Sequence, residues 1–401
     1  MAEPGLPAQR FEILVLNQIS ANGLKRLPAG RYSTGKDLAR PDAVLVRSAD
    51  LHALAIADSV QAIARAGAGT NNIPVAAMSA RGVPVFNAPG ANANAVKELV
   101  LTGMLLAARN IAPALRFVGG LDPAMADMDK AVEDGKKNFA GFELAGHTLG
   151  VVGLGRVGCL VADAAIKLGM QVLGYDPDIT VDAAWSLPAQ VRKAASVADV
   201  LKNADFVSLH VPLVAATRDM VNADNLKLMR PGAVLLNFSR EGVVSESAVL
   251  AALDAKQLRA YVCDFPSPAL NHHAGVIALP HLGASTREAE ENCAIMVAEQ
   301  LRDYLEHGNV VNAVNFPAVV MARESAHRVA IANANVPNML GQISTAMAQA
   351  GLNIHNMVNK SRGDMAYTLV DVESPVSEAV LDQLRAIDGV LAVRYLPDSG
   401  F

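Results

Sequence analysis

The sequence predicts an α/β protein with two successive units, each built on a mostly parallel sheet, and a small βαββαβ module at the end. Three observations carry this. Short apolar runs alternate with helical patches over residues 11–110 and again over residues 148–278. A glycine triplet, Gly153-Leu154-Gly155-Arg156-Val157-Gly158, stands between an apolar run and a helical pattern. Finally, residues 327–396 read strand, helix, strand, strand, helix, strand.

In the first unit Ile13–Leu16, Ala43–Val46, Ala62–Ala64 and Val83–Phe86 are the strand candidates, separated by Gly, Pro and Asn signals. A long helix over Asn94–Ala108 carries the chain into the second unit. There the run Thr148–Val152 precedes the glycine triplet, and Gln171–Tyr175 ends at Asp176. This is the pattern of a doubly wound, Rossmann-type nucleotide domain. Gly153 makes the tight turn, Gly155 lets backbone approach a pyrophosphate, and Gly158 lets the helix pack on its strand. The helix N-terminus faces the phosphates. Asp176 accepts hydrogen bonds from the adenosine ribose and repels a 2′-phosphate, so the expected cofactor is NAD rather than NADP.

Three more runs follow: Phe206–Leu209, Ala233–Asn237 and Ala260–Cys263. His210, Ser239-Arg240 and Asp264 come directly after them, where open α/β sheets bind ligands. Ser285-Thr286-Arg287-Glu288 is a capping-box pattern ahead of a helix over Ala289–Leu305, which returns the chain to the first unit. In the final module the helices begin near Asn335-Val336-Pro337 and Ser374–Ser377, and Arg362-Gly363-Asp364 marks the hairpin. The expected boundaries are 1–96 with 288–322 for a discontinuous substrate domain, 97–287 for the nucleotide domain, and 323–401 for the module.

Composition narrows the function. The chain has 401 residues, 52% apolar and 18% charged, which supports a large core, and a net charge of −5. No dense Lys/Arg block recruits nucleic acid or an anionic membrane. The apolar stretch Leu99–Ala108 is too short to span a bilayer, and Met1–Arg10 lacks the apolar core of a signal peptide. Cys159, Cys263 and Cys293 lie far apart with no C-x-x-C, which argues for a reducing cytoplasm and against disulfides or a metal site. They read as small buried hydrophobes.

Oxidation of a 2-hydroxy acid by NAD needs a cation for the carboxylate and carbonyl oxygen, a general base, and usually a carboxylate that orients the base. Arg240 can supply the first through a bidentate fork and His281 the second. Taken singly, Arg240 could be a surface ion-pair residue and His281 a helix cap. His210 reads as structural, beside the cofactor or under the sheet, and His272 and His273 as solvated.

Several segments together resemble one family. They are Val46-Arg47-Ser48-Ala49, Arg65–Ile73, Phe86–Glu98, Gly153–Gly158, His210–Leu213, Asn237–Arg240, Asp264 and Pro280–Thr286. The chain is similar over nearly its whole length to the D-isomer-specific 2-hydroxyacid dehydrogenases, in particular the branch that oxidises D-3-phosphoglycerate. The tail resembles an ACT regulatory module. The resemblance implies a flavodoxin-like substrate domain with the Rossmann-type domain inserted in it, the two closing on the substrate. It gives Arg240 as the substrate-binding catalytic arginine and His281 as the acid/base. It places Arg47 and Ser48 on the substrate phosphate, the backbone of Gly67, Ala68 and Gly69 on the carboxylate, and Asn92 beside the substrate. Cofactor contacts are implied at Gly153, Gly155, Arg156, Val157, Gly158, Asp176, His210, Val211, Pro212, Thr217, Ser239, Asp264 (facing the nicotinamide), His281 and Gly283.

The resemblance further implies that the product is 3-phosphohydroxypyruvate, at the entry to L-serine synthesis. It implies a homodimer or homotetramer. Lys136 or Lys137, of this chain or of a partner, is a further candidate to add charge to the phosphate site, beside the reading that paired lysines simply coat a solvated face. L-serine is the implied effector, at Asn333, Asn335 and Asn353, although Asn333 stands where the family has histidine and Asn335 could simply cap its helix. Two other readings stand beside this one: a hydroxypyruvate/glyoxylate reductase or other D-2-hydroxyacid dehydrogenase, and a non-catalytic NAD(H)-sensing protein. One departure bears on all three. The family places a glutamate four or five residues beyond Asp264 to partner the histidine, and here the run is Asp264-Phe265-Pro266-Ser267-Pro268-Ala269. Either Glu241, Glu288 or Glu290 reaches His281 instead, or the enzyme works with a less basic histidine, or it is impaired. The second is the reading carried forward.

Overall fold

The structure is a computed structural model and describes residues 10–398. The chain forms two compact units, one up to Ala91 together with Glu290 onward, the other Asn92–Ala289.

The first unit opens with a five-stranded parallel sheet, β1 (Phe11–Val15), β2 (Tyr32–Gly35), β3 (Ala43–Val46), β4 (Ala62–Arg65) and β5 (Val85–Phe86), in the order β2-β1-β3-β4-β5. This is the flavodoxin-like strand order. Strands β3 to β5 coincide with the expected runs, whereas β2 carries a single large apolar residue, Tyr32, and lies on the sheet edge with no alternation to announce it.

The second unit has a seven-stranded, all-parallel sheet: β6 (Thr148–Val152), β7 (Gln171–Tyr175), β8 (Arg192–Lys193), β9 (Phe206–Leu209), β10 (Ala233–Asn237), β11 (Leu258–Cys263) and β12 (Val276–Ala278), in the order β12-β11-β10-β9-β6-β7-β8. That is the doubly wound arrangement, reversing direction at β6. Strands β6, β9 and β10 are buried along their whole length, as a sheet covered on both faces requires. The helix Ala93–Ala108 packs Val96, Val100 and Met104 into the same core as Leu149, Val151 and Leu236, so it belongs to this unit. The boundary therefore falls before that helix, at Ala91/Asn92, rather than inside it at residue 96.

The closing module returns to the first unit. Strands β13 (His327–Ala334), β14 (Ile354–Arg362), β15 (Met365–Val372) and β16 (Val390–Pro397) form an antiparallel sheet ordered β14-β15-β13-β16, with helices Met339–Gln349 and Glu378–Arg385 between them. One face packs Val329, Ile331, Val370 and Val372 against those helices. The other packs Ala330, Ala332, Tyr367 and Leu369 into the core of the first unit, beside Tyr304 and Phe316. Arg328 and Asp371 are fully buried and bonded in bidentate fashion at 2.6 and 2.9 Å. The same guanidinium donates to the carbonyls of His307, Met321 and Ala322.

Two helix starts differ from expectation. The helix Arg287–His307 is capped by Thr286, whose hydroxyl accepts from the Ala289 amide, so the cap lies one residue beyond Ser285. The first module helix begins at Met339 after a left-handed Asn338 (φ 65°). Asn335 caps nothing; its side-chain amide donates to the Gly363 carbonyl and its backbone amide to Asp364, closing the β14–β15 hairpin. No single helix among the described residues is long and apolar enough to cross a membrane. The three cysteines are free and buried.

Candidate functional site

Because the strands of the second unit are parallel, the residues that follow them collect at one edge of its sheet: Gly153 after β6, Asp176 after β7, His210 after β9, Ser239 and Arg240 after β10, Asp264 after β11 and His281 after β12. This carboxyl edge is where such sheets bind ligands.

The glycine turn has the space its sequence predicts. Gly153 has φ +93°, and a Cβ there would come 2.6 Å from the His210 carbonyl oxygen. A Cβ on Gly158 would lie 2.0 Å from the Gly153 oxygen, so the helix can approach the turn only with glycine at that position. Gly155 faces open space. It is the N-cap of the helix Arg156–Lys167 and offers no side chain to its amides, which leaves the helix N-terminus free for an anion. The turn thus fits a pyrophosphate. Asp176 accepts from the Leu154 amide at 2.8 Å and the Asp178 amide at 3.0 Å, which fixes the carboxylate next to the turn. Burial pushes His210 down to about 4, so its ring is neutral, and Nε2 lies 2.8 Å from the Ser208 hydroxyl. Thr217 closes the loop after β9: its hydroxyl accepts from Val214 and donates to the Pro212 carbonyl.

Arg240 sits on a turn built by a residue that strand reading treats as core. Asn237 is fully buried at the end of β10. Its Oδ1 accepts from the Ser239 amide and hydroxyl, at 3.1 and 2.8 Å, and its amide donates to the Arg240 carbonyl at 2.9 Å. The Arg240 guanidinium is exposed, donates to the Ser239 carbonyl at 2.7 Å, and has no carboxylate partner among the described residues. A cation so placed is available to a carboxylate ligand.

His281 is held from behind. Its backbone is left-handed, φ 56°, which a non-glycine residue adopts only when its surroundings impose it. The imposing group is Asp264, 2% exposed, whose two oxygens accept from the Leu282 and Gly283 amides at 2.8 Å each. Burial raises the Asp264 pKa, outweighing those two bonds, which pull it down. The imidazole stands edge-on to Phe265, ring centroids 5.1 Å apart. No carboxylate bonds to it among the described residues. Pro268 and Ala269 form the first turn of a short helix capped by Ser267.

Two of the three acids offered in place of the missing glutamate are paired elsewhere, and the third is not bonded to the histidine. Glu288 is paired with Arg287 at 3.3 Å, and Glu290 with Arg47 at 2.6 Å. Glu241 lines a cleft with Phe265 and Tyr261 and makes no bond to His281. Sequence nearness fails here because adjacent positions on a helix or turn point in different directions. His273 also departs from expectation: it lies 3.2 Å from Asp254 and accepts from the Gly275 amide. Lys136 pairs with Glu133 of its own chain.

In the first unit, Arg47 and Ser48 follow β3 and the Gly67–Gly69 loop follows β4. Asn17, left-handed at φ 70°, accepts from the Ser48 and Ala49 amides, and Asn72 donates to the Arg47 and Ala49 carbonyls. Asn87 ties down the Ala68 carbonyl at 2.6 Å. The Arg65 side chain runs beside this loop, donating to the Arg47 carbonyl at 3.0 Å, and a Cβ on Gly67 would meet its Nη1 at 2.3 Å. Asn17, Asn237 and Arg65 are the residues sequence reasoning missed as part of the machinery. The only signal was an asparagine or arginine at a strand end or two places beyond it. Asn92 is the N-cap residue of the helix Ala93–Ala108 and makes no side-chain cap bond, so its amide is not consumed by the helix.

The effector asparagines do not meet within one chain. Asn333 is buried at one end of β13, with its amide on the Ala334 carbonyl and Oδ1 unpartnered. Asn353 precedes β14 at the opposite end of the sheet, about 20 Å along the strands.

Residues 104–283 match the model of the D-isomer specific 2-hydroxyacid dehydrogenase NAD binding domain. Among characterised proteins, the chain is 34% identical over 341 residues to D-3-phosphoglycerate dehydrogenase of Escherichia coli, covering 82% of this chain and 79% of that one. It is 32% identical, with the same coverage, to D-3-phosphoglycerate dehydrogenase of Haemophilus influenzae. Among solved structures, TT0316 protein from Thermus thermophilus matches with TM-score 0.61 at 26% identity, covering 76% of this chain and 99% of that one. An NAD+-bound 3-phosphoglycerate dehydrogenase from Entamoeba histolytica matches with TM-score 0.59 at 24% identity, covering 76% and 98%. With the glycine turn, Arg240 and His281 all at the carboxyl edge of a doubly wound sheet, these likenesses make the chain a member of the D-isomer specific 2-hydroxyacid dehydrogenase family, with NAD as its cofactor.

Proposed function

We propose that the protein oxidises D-3-phosphoglycerate at C2 to 3-phosphohydroxypyruvate, the first step of L-serine synthesis. The observation that carries this reading is Arg240: an arginine with no carboxylate partner among the described residues, fixed by a buried asparagine at the edge of an NAD-binding sheet. The curated relatives that bear the phosphoglycerate dehydrogenase name support the substrate.

The glycine turn and the N-terminus of helix Arg156–Lys167 hold the pyrophosphate, Asp176 the ribose, and the strand-end residues His210, Ser239 and Asp264 border the nicotinamide. The cofactor, when bound, supplies the hydride acceptor. Arg240 grips the substrate carboxylate and stabilises charge on the 2-oxygen. His281 Nε2 or Nδ1 takes the hydroxyl proton. Asp264, by fixing residues 282 and 283, keeps the imidazole aimed while it does so. Arg47, Ser48 and the Gly67–Gly69 backbone receive the phosphate and carboxylate, and Asn92 borders the substrate.

The test follows NADH absorbance with 3-phosphohydroxypyruvate beside hydroxypyruvate at equal concentration. Preference for the phosphorylated substrate supports the reading. Equal turnover moves the protein to the hydroxypyruvate/glyoxylate reductases, and tight NADH binding without turnover moves it to the NAD(H)-sensing proteins.

Assembly and regulation form part of the same reading. The helix Ile111–Gly119 buries none of its residues and exposes Leu115 (66%) and Val118 (55%), which supports a homodimer through the nucleotide unit. The separation of Asn333 from Asn353 supports an L-serine site completed by a second copy, as in a homotetramer paired through the ACT-like module. Light scattering with and without L-serine, beside an inhibition titration, tests both. The buried free thiols fit a cytoplasmic location.

A further inference from the structure

Arg47 is the residue expected to take the substrate phosphate, and the chain already supplies it with an anion. Its Nη2 lies 2.6 Å from Glu290 Oε1, a single contact with the two side chains 36% and 42% exposed. Glu290 sits in the first turns of the helix Arg287–His307, and Cys293 lies about one helical turn further on. The Cys293 thiol registers the whole cluster: burial raises its pKa, Arg65 and Arg47 lower it, and Glu290 raises it. Arg65, Arg47 and Glu290 all act on this thiol, and within the group the Glu290 carboxylate answers the Arg47 charge.

The geometry of this pair fits exchange. It is monodentate and well solvated, the kind of ion pair that contributes little to stability. Arg47 is positioned through its backbone by Asn72, so it does not need Glu290 to keep its place. Glu290 has solvent on one side and can turn away. A phosphoryl group near neutral pH carries close to two negative charges and three acceptor oxygens. It gains more from Arg47 than a carboxylate does, whereas a monoanion of carboxylate type gains nothing by exchanging places with Glu290.

We propose that Glu290 is a specificity-determining residue: its carboxylate occupies Arg47 until a dianionic phosphoryl group displaces it, which holds back both the affinity for phosphorylated substrate and the binding of stray monoanions. This rests on the reading of Arg47 as the phosphate arginine.

The test is steady-state kinetics in the NADH-oxidising direction on the full-length protein, using Glu290→Gln, Arg47→Gln and the double variant, with 3-phosphohydroxypyruvate and hydroxypyruvate. Glu290→Gln is expected to lower KM for 3-phosphohydroxypyruvate by about three- to fivefold, with the change in KM rather than kcat, and to let a carboxylate monoanion such as acetate inhibit at about three- to fivefold lower concentration. In the Arg47→Gln background the same substitution should have no effect, since the partner through which it acts is gone. An unchanged or increased KM in Glu290→Gln overturns the inference, as does an equal effect in both backgrounds. If Arg47→Gln leaves the KM for 3-phosphohydroxypyruvate unchanged, the phosphate reading itself falls, and the inference with it.

Discussion

Arg240 and Arg47 follow strands of two different sheets and serve the same expected substrate, yet their surroundings are opposite. Arg240 stands on a turn pinned by the buried Asn237 and meets no carboxylate among the described residues. Arg47 stands on a loop pinned by Asn17 and Asn72 and meets Glu290 at 2.6 Å. In both cases a buried or turn-forming asparagine fixes the backbone, so position is secured the same way. What differs is the charge left for a ligand. In the proposed reaction the first arginine presents a full positive charge where charge develops. The second has most of its charge answered until a stronger anion arrives. The chain spends precision on both arginines and reserves the unanswered charge for the chemistry.

Substitutions can break or sharpen that contrast. The largest effect is expected at Arg240: Arg240→Gln should lower kcat/KM about a thousandfold for both phosphorylated and unphosphorylated substrates, because it removes transition-state stabilisation common to both. Arg47→Gln should raise KM about 10- to 100-fold for 3-phosphohydroxypyruvate alone, the loss of charge-assisted hydrogen bonds to the phosphate. A loss shared by hydroxypyruvate would erase the distinction between the two arginines.

Next comes the missing carboxylate. Ala269→Glu places an acid where the family has one, and kcat is expected to rise about tenfold as the imidazolium gains a partner. No gain, with the fold intact by circular dichroism, would mean that Phe265 and the Asp264 clamp already orient His281 sufficiently. Asp264→Asn should do the reverse. It leaves one of the Leu282 and Gly283 amides facing a donor, costs about 1–3 kcal/mol of stability, and lowers kcat as His281 loses its fixed backbone.

The smallest effect lies away from both arginines. Burial raises the pKa of Asp205, but the Thr148 amide, Arg230 at 2.8 Å and His147 outweigh that and hold the carboxyl below its ordinary value. Its folded pKa is depressed, so its contribution is present above the unfolded value and is lost as pH falls through the folded one. Asp205→Asn should therefore lower Tm at pH 7 by an amount corresponding to about 1 kcal/mol. The difference from the native protein should shrink as pH drops below about 4.

Much of this arrangement was legible in the chain. A parallel sheet puts every strand end on one edge, so an apolar run followed by His210, Arg240 or Asp264 locates the edge without any structure. The glycine spacing was legible because Gly153 and Gly158 face contacts that no side chain could tolerate. What was hidden had no periodic signature. β2 is a short edge strand with one large apolar residue. Asn237 reads as the polar end of an apolar strand until its four side-chain hydrogen bonds are seen. The cap at Thr286 rather than Ser285 is a one-residue shift between two hydroxyl residues that both favour the N-cap. Glu290 was legible as an acid near His281 in sequence, but its partner, Arg47, is 243 residues away, a distance that only folding closes.

The buried Arg328–Asp371 pair has a consequence for anyone who would trim this chain. Three backbone carbonyls upstream of the module, at His307, Met321 and Ala322, take their donors from Arg328. The phenol of Tyr367 supplies a fourth, at Gly308. A chain ending before β13 would forfeit these bonds and uncover Tyr304 and Phe316. Such a truncation is an assay of folding more than of feedback. Separating regulation from integrity calls for single substitutions on the module's outer face, with the inner seam left untouched.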